Sequence, residues 1–530
     1  MKKQDKKQMT PSEYADYVGL SYAASTSSKH KKDNGQFFTS KTTSDFMAHL
    51  AKPQTKKISI LDPGCGTAIL SCSLIEKLVS SSEITEISLR LYETDKHLAI
   101  QTQLVVDYLA QWLADQDIKF HCQISEEDFV LDHSSVFESN ALFASAQRGE
   151  YDYIISNPPY FKISKADKRS LVAKDLVYGQ PNIYALFMGL AAKLLKKDGE
   201  LIFITPRSFA AGNYFKAFRQ SFFNDVSISD IHIFGSRNSL FKQDQVLQEN
   251  IILRATKAIN STIRISVSSG ENSLHAPASY NYLADELLDL NSKERVLFIP
   301  SNPSEAEAIN IFKSWDNTLT DFGIQISTGP VVAFRCADYL KKDEQNNVVP
   351  LVWLHNVKEM EFAYPLQKGN KARFIEMSKS SQKVLLKNKN YIFLRRFSSK
   401  DDKSRLVCCP YFSRNIDVEM IGVENHINYI YRPNGDLSEA EVWGLSALFS
   451  SKLFDTYFRS FNGNTQVGAS ELKQIKMPPL RDVEIIGNKV NSLPHCNQQE
   501  IDNVIKEVLL EKTNVKNIRS TRDFKGIGVA

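Results

Sequence analysis

The stretch KISILDPGCGTAIL, residues 57–70, sets the reading of the fold. An apolar run enters the turn Asp62-Pro63-Gly64-Cys65-Gly66, and a helical pattern, LSCSLIEKL, follows at once. Glycines between a strand and a helix let the backbone approach a ligand closely, and the helix N-terminus adds the positive end of its dipole. The plain alternative is an ordinary tight strand-to-helix turn. Outward from this stretch the pattern repeats. ISLRLYE precedes HLAIQTQLVVDYLAQWL, and YDYIIS, LFMGLAAKLLKK, ELIFITP and NIILRA follow, ending near residue 258. Short apolar runs alternating with amphipathic helices predict an α/β unit with a largely parallel sheet.

Two further features fall at predicted strand ends. Glu93 closes ISLRLYE, where a carboxylate can accept two hydrogen bonds from ribose hydroxyls. Asn157-Pro158-Pro159-Tyr160 follows YDYIIS directly. Two prolines remove two N–H donors and stiffen the backbone, so the Asn157 amide and the Pro158 carbonyl form a rigid pair of acceptors beside the ligand crevice. Such a pair suits an exocyclic NH₂, and Tyr160 offers a flat face for stacking on a base. Standing alone, the tetrapeptide would read as a proline-rich strand exit capped by Asn.

The order of glycine turn, acidic strand end, Asp128-Phe129 and Asn-Pro-Pro-Tyr resembles the gamma-class, TaqI-type DNA adenine-N6 methyltransferases. The resemblance covers about residues 31–258 and includes Gly35-Gln36-Phe37-Phe38-Thr39, which is similar to the family's N-terminal cofactor motif. It implies a Rossmann-like domain using S-adenosylmethionine. Phe38, Thr39 and the turn with Asp62, Gly64 and Gly66 would hold the methionine moiety, Glu93 the ribose, and Asp128 with Phe129 the adenine. SLFKQDQVLQENIIL resembles the segment that supplies an aromatic ring on the far face of the flipped target base, with Phe241 at the matching position and Phe234 its neighbour and competitor. The cofactor turn departs from the family in reading Gly-Cys-Gly-Thr-Ala, which weakens any contact carried over to Thr67 and Ala68.

The chemistry this implies needs no metal. A sulfonium methyl is already electrophilic, so hydrogen bonds from the amine to Asn157 and Pro158 would localise the nitrogen lone pair, and in-line positioning would supply the rest. An adenine in a duplex must first rotate out of the stack, which explains the expected aromatic pair Tyr160 and Phe241.

The chain has 530 residues, 42% hydrophobic and 24% charged, which excludes a disulfide mini-scaffold and wholesale disorder. Its 65 Lys+Arg against 61 Asp+Glu give +4, so a nucleic-acid surface must come from local clustering. Seven cysteines without C-x-x-C or zinc-like spacing read as reduced thiols. No window approaches the roughly 20 apolar residues of a membrane span, and a cytoplasmic protein is expected.

The expected organisation is a flexible arm (1–30) with a short helical possibility around Ser12 to Val18, the catalytic domain (31–260), a linker (261–303), a mixed α+β target-recognition domain (304–480) and a C-terminal helix with a basic tail (481–530). Residues 368–405 carry twelve Lys/Arg against three acidic residues, interleaved with Tyr391, Phe393 and Phe397. Lys383, Lys387, Lys389, Arg395 and Arg396 are therefore the expected contacts to double-stranded DNA. The alternative is a solvated lysine-rich face with its aromatics in the core. SFNGNTQVGASELKQIKMPPL, residues 460–480, resembles the end of specificity domains.

No PD…(D/E)xK nuclease pattern stands out, so a separate cognate restriction endonuclease is the expected partner. Rival readings are methylation of an RNA base or a protein glutamine, which also uses Asn-Pro-Pro-Tyr but without so large a C-terminal module, and a catalytically silent DNA-binding subunit.

Overall fold

The computed structural model describes residues 9–27, 30, 38–137, 149–235, 249–365, 371–398, 402–462, 466–494 and 496–510. The chain divides into two units, Met1–Ser301 and Asn302–Ala530.

The first unit is built on a nine-stranded sheet: β1 (Lys57–Pro63), β2 (Glu86–Tyr92), β3 (Lys119–Ser125), β4 (Tyr151–Ser156), β5 (Leu195–Pro206), β6 (Ser227–Phe234), β7 (Asn250–Thr256), β8 (Thr262–Ser268) and β9 (Ala278–Leu283). The order is β3-β2-β1-β4-β5-β7-β6-β8-β9. Strands β1 to β5 pair in parallel, and β7 is antiparallel to both β5 and β6. The chain runs outward from β1 through β2 to β3, then returns to place β4 on the other side of β1. That reversal opens a crevice at the C-terminal ends of β1 and β4, where ligands bind in doubly wound sheets.

The helices of this unit are α1 (Pro11–Ser25), α2 (Lys41–Leu50), α3 (Ile69–Ser81), α4 (Lys96–Ala114), α5 (Ile183–Leu194) and α6 (Lys216–Asp225), with shorter turns between. In α4, Asp95 accepts from His97 N and Leu98 N, and Leu98, Thr102, Val105, Leu109 and Leu113 form the buried stripe. Helix α5 is buried on nearly every side, which is why its sequence is apolar almost all round. Its one half-exposed residue, Lys193, pairs with Asp225 at 2.9 Å.

Two expected boundaries are corrected. Within residues 1–30, α1 is a packed helix: Thr10 and Glu13 form a capping box, and Tyr14, Ala15 and Val18 are buried. The Glu76 carboxylate accepts from Ser12 N (2.6 Å) and Ser12 Oγ (2.7 Å), and Tyr14 packs on Tyr108 with ring centroids 4.6 Å apart. The apolar stripe of α1 is short and broken by Ser and Gly, so its helical order comes from docking on α3 and α4. The expected linker 261–303 contains β8 and β9, which extend the central sheet. Only Ile263 and Ile265 alternate clearly inward on β8, too brief a signal beside polar sequence to read as a strand.

The second unit is mixed α+β, as expected. Its strands are β10 (Gln325–Thr328), β11 (Leu340–Lys341), β12 (Val348–Val352), β13 (Phe374–Glu376), β14 (Leu385–Lys387), β15 (Tyr391–Arg395), β16 (Cys408–Tyr411), β17 (Met420–Val423) and β18 (Ile427–Tyr431). They form a sheet of order β10-β18-β15-β16 and another of order β11-β13-β12-β17-β14, beside two-residue pairings. Helices α7 (Pro303–Lys313), α8 (Glu439–Ser450), α9 (Lys452–Phe461), α10 (Leu480–Asn491) and α11 (Gln498–Ile505) complete it. Residues 438–461 form two helices because extended Ser451 ends α8 and its hydroxyl caps α9 by accepting from Phe454 N at 3.2 Å.

One buried ion network pins the antiparallel half of the first sheet. Arg254 on β7 donates to Glu200 (Nε–Oε2 3.0 Å) and to Asp230 (Nη1–Oδ2 3.1 Å), with all three side chains largely buried. Removing one partner strands a buried charge. Glu200→Ala is therefore expected to cost about 3–5 kcal/mol, read as a lowered midpoint of chemical unfolding.

Candidate active site

A cavity of about 230 Å³ lies at the ends of β1, β2 and β4. Its lining unites Phe38, Thr39, Gly64, Gly66, Glu93, Asp128, Phe129 and Asn157, eight positions singled out from the sequence. The β1 turn is locked from below, since Gly64 N and Cys65 N both donate to Tyr92 O (3.0 and 2.9 Å). Gly64 and Gly66 have φ of +78° and +56°, a left-handed backbone that favours glycine. Helix α3 begins at the cavity without a side-chain cap, and Ile69 and Leu70 of its first turn line the wall. Uncapped N–H groups there suit an anionic group of a ligand.

Glu93 is fixed by donors from both flanks, Gly66 N to Oε2 (3.2 Å) and Asp95 N to Oε1 (2.9 Å). Burial nonetheless pushes its carboxyl up to about 7. Asp62, expected among the cofactor contacts, lies fully buried beneath the turn and does not line the cavity. It accepts from Ser71 Oγ at 2.9 Å, while its Oδ1 has no hydrogen-bond partner among the described residues. Burial pushes this carboxyl to about 7 as well, with the Glu93 charge adding to the rise. Its place is to brace the turn.

Asp128 caps the short helix Phe129–Asp132, its Oδ1 accepting from Val130 N (2.9 Å) and Leu131 N (3.1 Å). Its Oδ2 lies 3.5 Å from Arg169 Nη1. Phe129 and Phe187 form an aromatic wall with ring centroids 5.1 Å apart. Arg169, Phe161 and Phe187 were missed in the sequence, because they sit on the loop and helix after the diproline corner with no motif of their own.

The corner itself is tightly held. Ser156 Oγ donates to Pro63 O at 2.5 Å, tying the ends of β4 and β1 together in a buried contact. Asn157 Nδ2 donates to Thr39 Oγ1 at 3.1 Å, and the Tyr160 hydroxyl bonds Asn157 Oδ1 and approaches Ile204 O at 3.0 Å. Pro159, not Pro158, lines the cavity, since Pro158 is buried. The expectation of an open stacking face on Tyr160 is corrected: its ring is only 8% exposed and meets Tyr184 edge-on at 6.2 Å. Phe241 lies outside the described residues. Its competitor Phe234 is a core residue of β6, 5% exposed and packed on His232.

Residues 75–241 match the family model described as Eco57I restriction-modification methylase. The chain is 31% identical over 477 residues to the type II methyltransferase M.PstI of Providencia stuartii, covering 90% of this chain and 92% of that protein. It is 32% identical over 490 residues to the type II methyltransferase M.BsuBI of Bacillus subtilis, covering 91% and 95%. The chain belongs to the gamma-class methyltransferases of type II restriction–modification systems. Its activity is DNA methylation. In fold it is similar to the type IIL restriction-modification enzyme MmeI in complex with DNA, with a TM-score of 0.50 at 11% identity, covering 93% of this chain and 73% of that one. None of the described helices is long and apolar enough to cross a membrane.

In this methyltransferase the expected basic patch is split. Lys383, Lys387 and Lys389 precede β15, and Arg395 and Arg396 follow or end it, so the five-residue strand holds the two groups apart. Lys383 and Lys387 are exposed, whereas Lys389 Nζ donates to Gly435 O at 2.8 Å. Arg395 Nε donates to Val357 O (2.7 Å) and Arg396 Nη1 to Asn425 O (3.2 Å), which makes both braces of the local backbone. Tyr391 and Phe393 are core residues, and Phe397 alone of the three interleaved aromatics is exposed.

The raised carboxyls set a pH dependence. A folded-state value near 7, above the unfolded value near 4.5, means the folded chain binds more protons across that window, so Glu93's contribution to stability falls as pH rises through it. Glu93→Gln removes the titration. Melting temperatures of the two proteins, compared from pH 5 to pH 8, are expected to show the variant gaining relative to the parent as pH rises, by about 1.4 kcal/mol per pH unit where the slope is full.

Proposed function

We propose that this chain transfers a methyl group from S-adenosylmethionine to the N6 amine of an adenine rotated out of double-stranded DNA, protecting the site from a separate cognate restriction endonuclease. The observation that carries this reading is the doubly braced Asn157 carboxamide, held by Thr39 and Tyr160 beside a nucleoside-sized cavity.

The cavity's donors and acceptors fit that cofactor. Glu93 would accept from the ribose hydroxyls, Asp128 Oδ2 from the adenine amine, and the wall formed by Phe129 and Phe187 would pack against the purine. The left-handed turn at Gly64 and Gly66 with the uncapped start of α3 would take the amino-acid end, and Phe38 would close over it. When bound, S-adenosylmethionine supplies an electrophilic sulfonium methyl group.

The chain's own residues then have one task, which is to make a conjugated amine nucleophilic. A carboxamide oxygen can accept two hydrogens, and in this reading Asn157 Oδ1 takes one from Tyr160 and one from the substrate amine. The Pro158 carbonyl would accept the second amine hydrogen. Both contacts strengthen as the nitrogen becomes tetrahedral, which is differential stabilisation of the transition state. Thr39 fixes which end of the Asn157 amide faces the amine, since only Nδ2 can donate to its hydroxyl oxygen. Rotating the base out costs a few kcal/mol and exposes the amine to this corner.

Incubating the protein with labelled cofactor and mixed-sequence plasmid DNA, followed by nucleoside analysis, tests the reading; N6-methyladenine is expected, and methylated cytosine instead would overturn it. Asn157→Ala is expected to lower turnover by about 100-fold or more with cofactor affinity changed only a few-fold. Tyr160→Phe keeps the ring packing and removes one hydrogen bond, so kcat falls while the KM for DNA stays close to that of the parent.

A further inference from the structure

Four chain segments meet at one end of the sheet β10-β18-β15-β16. Residues 329–335 leave β10, residues 396–398 leave β15, residues 424–426 lead into β18, and residues 466–468 lie alongside. Backbone hydrogen bonds stitch them together: Val331 N to Val423 O (3.0 Å), Asn425 N to Val331 O (2.9 Å), Arg396 N to His426 O (2.9 Å) and Val467 N to Arg396 O (2.8 Å). Beneath them, buried Asn428 donates to Val467 O at 2.7 Å and bonds Thr328 Oγ1 at 3.0 Å. Gly329 passes so close to Glu424 that an added Cβ would lie 2.2 Å from its carbonyl oxygen. This is a rigid platform.

What it carries is unlike a resting surface. Phe334 is 79% exposed, with the Arg335 guanidinium 5.4 Å from its ring centroid. Phe397 is 39% exposed and meets His426 edge-on at 4.9 Å. His426 Nδ1 contacts the carboxylate of Glu424, which is almost wholly buried, and this fixes the ring with Nε2 as the outer nitrogen. Gln466 is exposed beside Phe397, to which it is bridged. A large apolar ring left in water forfeits the free energy of burial, which makes an exposed Phe a candidate for contact with a partner.

Exposed Arg335 and Gln466 with half-buried His426 on a stiff scaffold match what base edges require, since their planar groups can meet donor and acceptor pairs in the major groove, and an apolar ring can rest against a thymine methyl. Lys383 and Lys387 are different. Flexible point charges suit phosphates, which position a protein without telling one sequence from another.

We propose that this loop cluster is the base-reading face of the C-terminal unit, with Arg335, His426 and Gln466 addressing base edges and Phe334 packing against them. The assignment rests on the reading of the chain as a site-specific DNA methyltransferase.

The test uses the full chain. Selecting the duplexes it binds from a random-sequence pool defines the preferred site without recourse to methyl transfer, and affinities for that site and for a scrambled duplex are then compared across salt concentrations. Arg335→Ala, His426→Ala and Gln466→Ala are each expected to lower the ratio of the two affinities by about 5- to 100-fold and to relax one or two positions of the selected site. The pair Lys383→Ala with Lys387→Ala is expected to weaken both duplexes alike and to flatten the salt dependence. Phe334→Ala provides a variant whose exposure leaves the melting temperature unchanged, and its ratio is expected to fall as well. An unchanged ratio in these variants, or a pool that yields no preferred site, overturns the assignment. Failure of the adenine reading would appear separately, as a selected duplex that gains no N6-methyladenine.

Discussion

Everything at the active site depends on the parallel pairing of β1 with β4 at the point where the strand order reverses. The two strands pair through Ile60–Tyr153 and Leu61–Ile154, and the buried hydrogen bond from Ser156 to Pro63 closes their ends. This brings a glycine turn and a diproline corner, nearly a hundred residues apart in the chain, into one cavity. Each corner is held in its own way, the glycine turn by the bonds from Gly64 N and Cys65 N to Tyr92 O and the other by consecutive prolines. The distance between them is therefore set by the sheet and not by either loop. A binding site for one group and a polar corner for another become a single reaction site only because the sheet holds both.

The same crevice concentrates costs that the fold accepts. Two carboxyls, Asp62 and Glu93, are raised by burial, with the Glu93 charge adding to the rise of Asp62, and one oxygen of Asp62 goes without a partner among the described residues. Buried acceptors without matching donors are expensive in a folded chain. In the proposed reading Glu93 has a use for that state, since a desolvated carboxylate at the cavity edge gains most from hydroxyl donors that a ligand brings. The bracing of Asn157 by Thr39 and Tyr160 follows the same logic of preorganisation: the amide is set before any substrate arrives.

The second unit separates two groups of cations that sequence alone presents as one basic patch. A strand of five residues lies between the lysines at 383–389 and the arginines at 395 and 396, and both arginines are spent on backbone carbonyls. The exposed aromatic and planar polar groups gather elsewhere, from segments separated by up to about 130 positions in the chain.

Motif chemistry is local, and local chemistry is what the sequence by itself determined: the alternation of apolar strands and helices, the glycine turn, Glu93, Asp128-Phe129 and Asn157 all stand where their order implied. Strands β8 and β9 and the docking of helix α1 were not legible, because their apolar stripes are brief and their order comes from surfaces formed by distant residues. The same limit hid Arg169 and Phe187, which no spacing marks, and it misled the reading of Tyr160, whose burial depends on Tyr184 and Ile204 across the sheet. Tertiary structure alone decided which aromatic rings are exposed and which cations are engaged, since burial is a property of the partners a side chain meets and not of the residue or its neighbours in the chain.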